Sequence, residues 1–301
     1  MSTWVIGDVH GCYNAFQALI ESSFIKEEDK VILIGDIIDR GPDSVKMLDW
    51  AMQNVNHGGK YYMIRGNHEQ NIIDDFTKLV EKTAKKNRYR IQAGAEPLDY
   101  KNLSIYDLRC NYDFCEYMER AGILKVGQAV KYIAWMKTLP LYTEIPVTTP
   151  DNTGRKYIIA HAWFDIRNKT NRDVILWKRD IRDIPRPNIL LDKDGDIIPP
   201  LFSNDFDGLE NEILIHGHTP VLKDNDYPCN AKVYRRKHSI NIDTGAVYSD
   251  YGGRLSAIRL EDEKVLSATH GAIVVEDEMY YEKDYVSQLQ AGRTCEDEPL
   301  R

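Results

Sequence analysis

The chain begins with three short apolar runs that alternate with two helical patterns, and this order constrains the fold more than any other feature. The runs are rich in Val, Ile and Tyr and lie at residues 3–7, 30–35 and 60–66. Helical periodicity occupies residues 13–24 and 44–55 between them. A strand–helix–strand–helix order favours a mainly parallel sheet covered by helices. The first part of the chain therefore predicts an α/β fold.

The pattern changes to almost wholly helical between residues 70 and 140, and strand-length runs resume from residue 156 onward. Because strands resume, we interpret the middle stretch as a helical insertion on the sheet rather than a separately folding domain. The sequence thus predicts a single domain over residues 1–285 with a helical insertion at about 70–140. Residues 286–301 are typical of a frayed, flexible tail.

The totals for the 301 residues exclude several classes of protein. A formal net charge of −8 argues against non-specific binding to nucleic acid, whose phosphates favour basic partners. No apolar run approaches the ~20 residues that a membrane-spanning helix needs, and the first residues show no signal-peptide pattern. Five cysteines, an odd number without zinc-type spacing, indicate reduced thiols and a cytoplasmic location.

Polar side chains follow five of the strand-length runs, at the point where each run ends. Ligands of open α/β sheets bind outside the carboxyl ends of the strands, so these side chains are expected to share one crevice. A single His or Asp-Gly after a strand is ordinarily a loop or turn residue. Five such ends with oxygen and imidazole groups favour one functional site, formed by Asp8, His10, Asp36, Asp39, Arg40, Asn67, His68, His161, His216 and His218.

The residue types at these ends are hard to borderline metal ligands, which suit Mn²⁺, Fe or Zn²⁺. Asp36 has two oxygens and can bridge two ions, which lie ~3.5–4 Å apart in two-metal sites. Such a pair acidifies a water molecule to hydroxide near neutral pH and neutralises phosphate oxygens for in-line displacement. The chemistry indicated is metal-assisted hydrolysis of a phosphate ester. The other candidate ligands are Asp8 and His10 for the first ion, and Asn67, His161 and His218 for the second.

Three further charged residues fit the same chemistry. The planar fork of Arg40 matches phosphate oxygens. His68 is positioned in sequence to protonate the departing alkoxide. Asp39 can hold that imidazole and keep it charged, since a nearby carboxylate favours the imidazolium form.

These segments resemble the phosphoprotein phosphatase family of binuclear metallophosphoesterases. The family pattern is GDxHG, GDxxDRG and GNHE followed by two separated histidines, and it matches residues 7–11, 35–41 and 66–69, then His161 and the HGHT segment at 216–219. The resemblance implies a calcineurin-like fold, in which a mixed β-sheet sandwich is flanked by helices. Compact bacterial and phage serine/threonine phosphatases are the nearer match. The large eukaryotic catalytic subunits have a Gly-Gly after the first late histidine, whereas this chain has HAWF at residues 161–164.

The resemblance also implies roles for individual residues. One metal would be bound by Asp8, His10 and Asp36, and the other by Asp36, Asn67, His161 and His218. His68 with Asp39 would form the acid pair, and Arg40 would hold phosphate. The resemblance assigns Arg179 as a second arginine that binds phosphate. The alternative interpretation is that Arg179 is an exposed basic residue on a helix. His216 and His218 compete for one ligand position, and the GHT form favours His218; we interpret Asp243 as structural.

The function predicted first is a metal-dependent phosphomonoester hydrolase acting on phosphoserine or phosphothreonine, and also on phosphotyrosine, in proteins. The alternative is a dinucleoside tetraphosphatase or another small-molecule phosphatase with the same motifs. A binding protein without turnover is disfavoured because every proposed ligand and the acid pair are present. The predicted cofactors are two divalent metal ions, Mn²⁺ first with Fe or Zn²⁺ as alternatives. The predicted partners are phosphorylated substrates, with neither nucleic acid nor a membrane.

Overall fold

The computed structural model describes most of the chain. The described residues are 1–108, 112–150, 152–162, 176, 211–222, 230–269, 271 and 273–281. Two of the predictions lie outside these residues, namely the phosphate-binding role of Arg179 and the tail at 286–301.

The described residues form helices in the first half of the chain and strands in both halves. In chain order the elements are β1 (Thr3–Ile6), α1 (Tyr13–Glu21), β2 (Lys30–Leu33), α2 (Ser44–Asn54), β3 (Tyr61–Met63), α3 (Asn67–Gln92), α4 (Tyr112–Arg120), α5 (Val126–Thr138), β4 (Tyr142–Thr148), β5 (Gly154–Ala160), β6 (Glu212–His216), β7 (Tyr234–Arg235), β8 (Ser239–Asn241), β9 (Leu255–Arg259), β10 (Val265–Ala268), β11 (Val274–Asp277) and β12 (Tyr280–Tyr281). Short 3-10 helices lie at Tyr100–Asn102, Ile105–Leu108 and Ser249–Tyr251.

The strands form two six-stranded sheets. The first has the order β11-β10-β9-β1-β2-β3, in which β1, β2 and β3 are parallel and β9 to β11 extend the sheet antiparallel. The second has the order β12-β7-β8-β6-β5-β4, in which β5, β6 and β8 are parallel. Each sheet therefore has three neighbouring parallel strands whose carboxyl ends emerge on one edge.

Alternating side chains of the strands build two separate cores. On β1, Val5 joins Ile32 of β2 and Ile159 of β5 in a cluster between the sheets. Trp4 and Ile6 point the opposite way, into a larger cluster with the helices. Both faces of the first sheet are thus buried, as expected for parallel strands of near-continuous hydrophobicity. The fold therefore has three layers, in which the first sheet lies between the helices and the second sheet.

The helices between residues 67 and 138 pack on this same helix-facing side. Phe76 of α3, Met118 of α4 and Met136 of α5 belong to the cluster that contains Trp4 and Ile6. Among the described helices, none combines the length and apolar character needed to cross a bilayer.

The mixed sandwich flanked by helices agrees with the predicted fold class, whereas the expectation of a mainly parallel sheet holds only for three strands of each sheet. The later strands β9, β10 and β11 run antiparallel beside β1. The edge strand β4 was not predicted, and it contains Pro146, a residue that edge strands tolerate because its missing N–H need not pair.

Candidate metal centre

The loops that follow the parallel strands are joined to each other by backbone hydrogen bonds. After β1 and β2, His10 N–H donates to the carbonyl of Asp36 at 2.8 Å, and Gly11 N–H donates to that of Ile37 at 2.9 Å. In the second sheet, Gly217 N–H donates to the carbonyl of His161 at 2.9 Å. Within each sheet, neighbouring strand ends that were predicted to converge are therefore tied together through their main chains.

Several residues of these loops have left-handed backbone conformations that non-glycine residues rarely adopt. The φ values are 44° for His10, 48° for Asp36, 69° for Asp39, 66° for Arg40 and 71° for His218. Such conformations cost free energy, persist where the surroundings fix them, and cluster at functional sites. Every one of these residues was a site candidate from the sequence.

Asp36 lies at the centre of the candidate site and is almost fully buried. Its Oδ2 is 3.7 Å from Nε2 of His10, 3.9 Å from Nε2 of His68 and 3.2 Å from Nε2 of His161. Ligand atoms within 4.8 Å of one another form two groups that share Asp36: one with His10 and His68, and one with His161 and His218. A shared carboxylate between two groups is the arrangement that a binuclear centre requires.

Asn67 is the first residue of α3 and connects the two histidines of the second group. Its Oδ1 lies 2.8 Å from Nε2 of His161 and 2.9 Å from Nδ1 of His218, both within hydrogen-bond distance. The next amide of the helix, His68 N–H, donates to Oδ1 of Asp36 at 2.9 Å. The helix start thus places one candidate ligand and stabilises the central carboxylate.

Two histidines are oriented by backbone carbonyls. Nδ1–H of His10 donates to the carbonyl of Ile38 at 2.8 Å, and Nδ1–H of His161 donates to that of Ile34 at 2.9 Å. In both rings Nε2 is the atom that faces Asp36, and this outer hydrogen bond is the usual support of a metal-ligating histidine. Burial lowers the pKa of His10 to about 3, so its imidazole is neutral.

Asp8 is buried beside this cluster but lies in neither of the two groups. Its Oδ2 accepts a hydrogen bond from the N–H of His218 at 3.1 Å. A Cβ on Gly217 would lie 2.1 Å from Asp8 Oδ1, so glycine permits the close approach of the two loops. Burial, followed by the charges of Asp243 and Asp36, raises the pKa of Asp8.

His68 and Asp39 form a hydrogen-bonded ion pair, with Nδ1 of the ring 2.7 Å from Oδ2 of the carboxylate. Burial lowers the pKa of His68, but Asp36 and the bond to Asp39 outweigh burial and raise the pKa above its ordinary value. The same charges act on Asp36: burial would raise its pKa, yet His161 and His68 hold it well below the usual range. The imidazolium form of His68 is therefore favoured next to an ionised Asp36.

Arg40 is exposed and lies over the cluster, with Nη1 2.9 Å from Nε2 of His10. The two histidines that competed for one ligand position, His216 and His218, are placed differently. His216 is buried at the end of β6, where its Nδ1 lies 3.3 Å from the carbonyl oxygen of Gly217. The structure brings His218, and not His216, into the groups of candidate ligands among the residues it describes.

Sequence reasoning missed Glu69, which is fully buried behind the site. Its Oε2 accepts hydrogen bonds from the amides of Gly66 and Asp36, and its Oε1 accepts one from that of Ile37, all at 2.9 Å. Glu69 therefore fastens the loop after β2 to the start of α3. Half of a sequence signal was present, because a Glu at the third helical position that reaches back to the N-cap amide is one part of a capping box, although Gly66 has no side chain to supply the other part.

The side chains present fit a pair of divalent cations. Asp8 Oδ1 is buried and has no hydrogen-bond partner among the described residues, although a buried carboxylate oxygen ordinarily has one. The donors are carboxylate, imidazole and amide groups, which suit Mn²⁺, Fe or Zn²⁺. The clustered carboxylates Asp8 and Asp36 are both buried, and a cation would compensate their charge.

Two curated relatives are similar over nearly the full length of the chain. A protein of Buchnera aphidicola subsp. Baizongia pistaciae named bis(5'-nucleosyl)-tetraphosphatase, symmetrical, is 28% identical over 88% of this chain and 96% of its own. A protein of Oceanobacillus iheyensis named bis(5'-nucleosyl)-tetraphosphatase PrpE, asymmetrical, is 26% identical over 87% of this chain and 90% of its own.

The fold is also similar to that of a cold-active protein tyrosine phosphatase, with a TM-score of 0.50, 14% identity and coverage of 92% of this chain and 79% of the other. The model of the calcineurin-like phosphoesterase family matches residues 1–284. This family comprises hydrolases that use divalent metal ions, and the clustered ligand groups are those such an enzyme needs. The chain belongs to the calcineurin-like phosphoesterase family.

Proposed function

We propose that the protein is a dinucleoside tetraphosphatase that depends on two divalent cations. Mn²⁺ is the metal proposed first for both positions. The observation that carries the hydrolytic chemistry is the pair of ligand groups that share Asp36. The substrate class is supported by the two tetraphosphatase relatives, which match this chain over most of both lengths. Phosphoprotein substrates, the class that the sequence favoured first, were supported by Arg179, which lies outside the described residues, and by the GHT form at 217–219.

The proposed ligands are divided between two ions. Asp8, His10 and Asp36 would hold one ion, and Asp36, Asn67, His161 and His218 would hold the other. When bound, the ions would supply an acidified water as the nucleophile and would neutralise charge on the phosphate oxygens. The buried position of Asp36 between the histidines supports its proposed role as the shared ligand.

The remaining residues act on the phosphate chain itself. Arg40 is exposed next to His10 and would donate its planar fork to phosphate oxygens. His68, held by Asp39 in the charged form, would donate a proton to the leaving oxygen. A phosphoanhydride leaving group needs this proton less than an alkoxide does, because it is the weaker base.

The test compares two substrates with the same Mn²⁺-loaded enzyme: a dinucleoside tetraphosphate and a phosphoserine peptide. We expect kcat/KM to be higher for the dinucleotide, with products resolved by anion-exchange chromatography. Two nucleoside diphosphates would indicate symmetrical cleavage; a monophosphate with a triphosphate would indicate asymmetrical cleavage. A higher kcat/KM for the peptide would contradict the proposed substrate class.

The control variants are Asp36→Asn, which removes the shared carboxylate, and Asp250→Asn, which removes an exposed carboxylate of the same charge. Activity should be lost in the first variant and retained in the second. Hydrolysis of neither substrate by the metal-loaded wild-type protein would refute the proposed chemistry altogether.

A further inference from the structure

A sixth strand delivers an acidic residue to the same edge of the sandwich. Asp243 follows β8, which pairs in parallel with β6, and Ile242 N–H donates to the carbonyl of His216 at 2.9 Å. A Cβ on Gly7 would lie 2.3 Å from the carbonyl oxygen of Ile242. The segment that carries Asp243 therefore packs directly against the segment that carries Asp8.

The carboxylate of Asp243 is only partly used by its own loop. The side chain is 2% exposed, and its Oδ1 accepts a hydrogen bond from the N–H of Gly245 at 3.0 Å. Its Oδ2 is buried and has no hydrogen-bond partner in the part of the chain that the structure describes. A purely structural turn would need one acceptor oxygen, which an asparagine or serine supplies equally well.

The main chain of Asp243 is already held by other groups. Its N–H donates to Oδ1 of Asn241 at 3.0 Å, and its carbonyl accepts the N–H of Val221 at 2.7 Å. The second carboxylate oxygen is thus not required to fix the loop. Leaving it buried and unpaired costs free energy unless something else in the site interacts with it.

The charged groups that act electrostatically on Asp243 belong to the candidate metal centre. The negative groups are Asp8 and Asp36, and the positive or ionisable ones are Arg40 and His161. After burial, Asp243 is the strongest influence that raises the pKa of Asp8. Two adjacent buried carboxylates, each with an unpaired oxygen, repel each other unless a cation lies near both.

We propose that Asp243 is a cation-positioning residue of the metal centre: its free oxygen adds negative charge beside Asp8 and strengthens cation binding on that side. The inference rests on the proposed metal centre but assigns a role to a residue outside the two ligand sets. It also replaces the interpretation of Asp243 as structural, because a structural role leaves the second oxygen unexplained.

The test uses Asp243→Asn, which keeps the shape of the side chain and an oxygen that can accept the Gly245 N–H. Mn²⁺ binding is measured by titration calorimetry at pH 8, and thermal unfolding is measured in the metal-free protein. We expect the Mn²⁺ dissociation constant to rise by about 10- to 100-fold, the usual loss when a supporting residue of a metal site is changed. The metal-free variant should melt at the wild-type temperature or above it, since a repulsive charge is removed.

Asp250→Asn is the matched control, because it removes an exposed carboxylate of the same charge and should leave both measurements unchanged. An unchanged dissociation constant in Asp243→Asn would overturn the inference. So would a lower melting temperature of the metal-free variant, since the loss of affinity would then follow from a folding defect. If Asp243→Asn does not fold, Asp243→Ser, which also keeps an acceptor oxygen for the Gly245 N–H, is judged by the same two measurements.

These outcomes are distinguishable from failure of the proposed function. Wild-type protein that binds no Mn²⁺ would refute the proposed metal centre itself. Wild-type protein that binds Mn²⁺ as tightly as Asp243→Asn does would refute only the role of Asp243.

Discussion

Replacing Glu69 by Gln should loosen the junction between the loop after β2 and the start of α3. The Glu69 carboxylate accepts amide hydrogen bonds from Gly66 and Asp36 on one oxygen and from Ile37 on the other. Gln retains one acceptor oxygen and presents an NH₂ group to the remaining donors. Either orientation of the amide places donors against donors in a site that is closed to water.

The expected magnitude follows from the bonds that are lost. Hydrogen bonds to a charged group contribute about 1.5–3 kcal/mol each, and the oxygen that Gln replaces accepts up to two of them. Part of that loss is offset because a neutral amide avoids the desolvation cost of a buried carboxylate. We expect the free energy of unfolding to fall by about 3 kcal/mol, the level of the stronger charged hydrogen bonds. That corresponds to a melting temperature about 6–12 °C lower for a domain of roughly this size.

The assay is thermal unfolding of the metal-free protein at pH 8. Burial and the charge of Asp36 raise the pKa of Glu69 to about 7, so its carboxylate is largely ionised at this pH. Glu81→Gln is the matched control, because Glu81 lies on the same helix, is exposed and should be replaced without effect. Wild-type stability of Glu69→Gln would refute the reasoning, since the amides that face the NH₂ group of Gln should not lose their charged acceptor without cost in a buried site.

Three further substitutions test other contacts of the site. His68→Asn should lower kcat by about 10²–10⁴-fold on a phosphoserine peptide. The loss should be smaller on p-nitrophenyl phosphate, because its leaving group needs no proton. An equal loss on both substrates would contradict the role of His68 as the acid. Asp39→Asn removes a contact that raises the pKa of His68, so the alkaline fall of kcat should move to lower pH in a pH–rate profile. Gly217→Ala should reduce bound metal in elemental analysis, because its Cβ would lie 2.1 Å from Asp8 Oδ1, whereas Gly154→Ala meets no atom within 4 Å and should not.

Much of the fold could be predicted because its first five elements are encoded locally. The runs at β1, β2 and β3 and the periodicity of α1 and α2 each lie within the residue ranges expected from sequence. The pairing of strands into two sheets depends on contacts between distant parts of the chain, which periodicity does not report. The antiparallel strands β10 and β11 were also missed; β11 reads VVED, is only partly buried, and contains only two apolar residues to mark it as a strand.

The convergence of site residues was predictable for a topological reason. Parallel strands end on one edge, so polar residues after β1, β2 and β3 meet whatever their separation in sequence. The exceptions are more informative. Asp8 lies outside both ligand groups, and its Oδ2 accepts a hydrogen bond from the amide of His218, a contact across 210 residues that no motif reveals. Glu69 and Asp243 act through buried oxygens, and sequence does not show which carboxylates are buried.

The backbone of the site explains why its loops are so closely supported. Asp36, Asp39 and Arg40 all adopt left-handed conformations within a single turn, and each costs about 1–3 kcal/mol relative to an ordinary backbone. Glycine would relieve that cost but would remove the side chains that the chemistry needs. The strain persists because neighbouring groups fix the turn: Glu69 holds the amides of Asp36 and Ile37, and Ser44 Oγ accepts the N–H of Asp39 at 3.0 Å. The polar residues after β2 are therefore held by the packed scaffold in positions that a free turn would not adopt, and loss of these supports should affect the site before it affects the sheets.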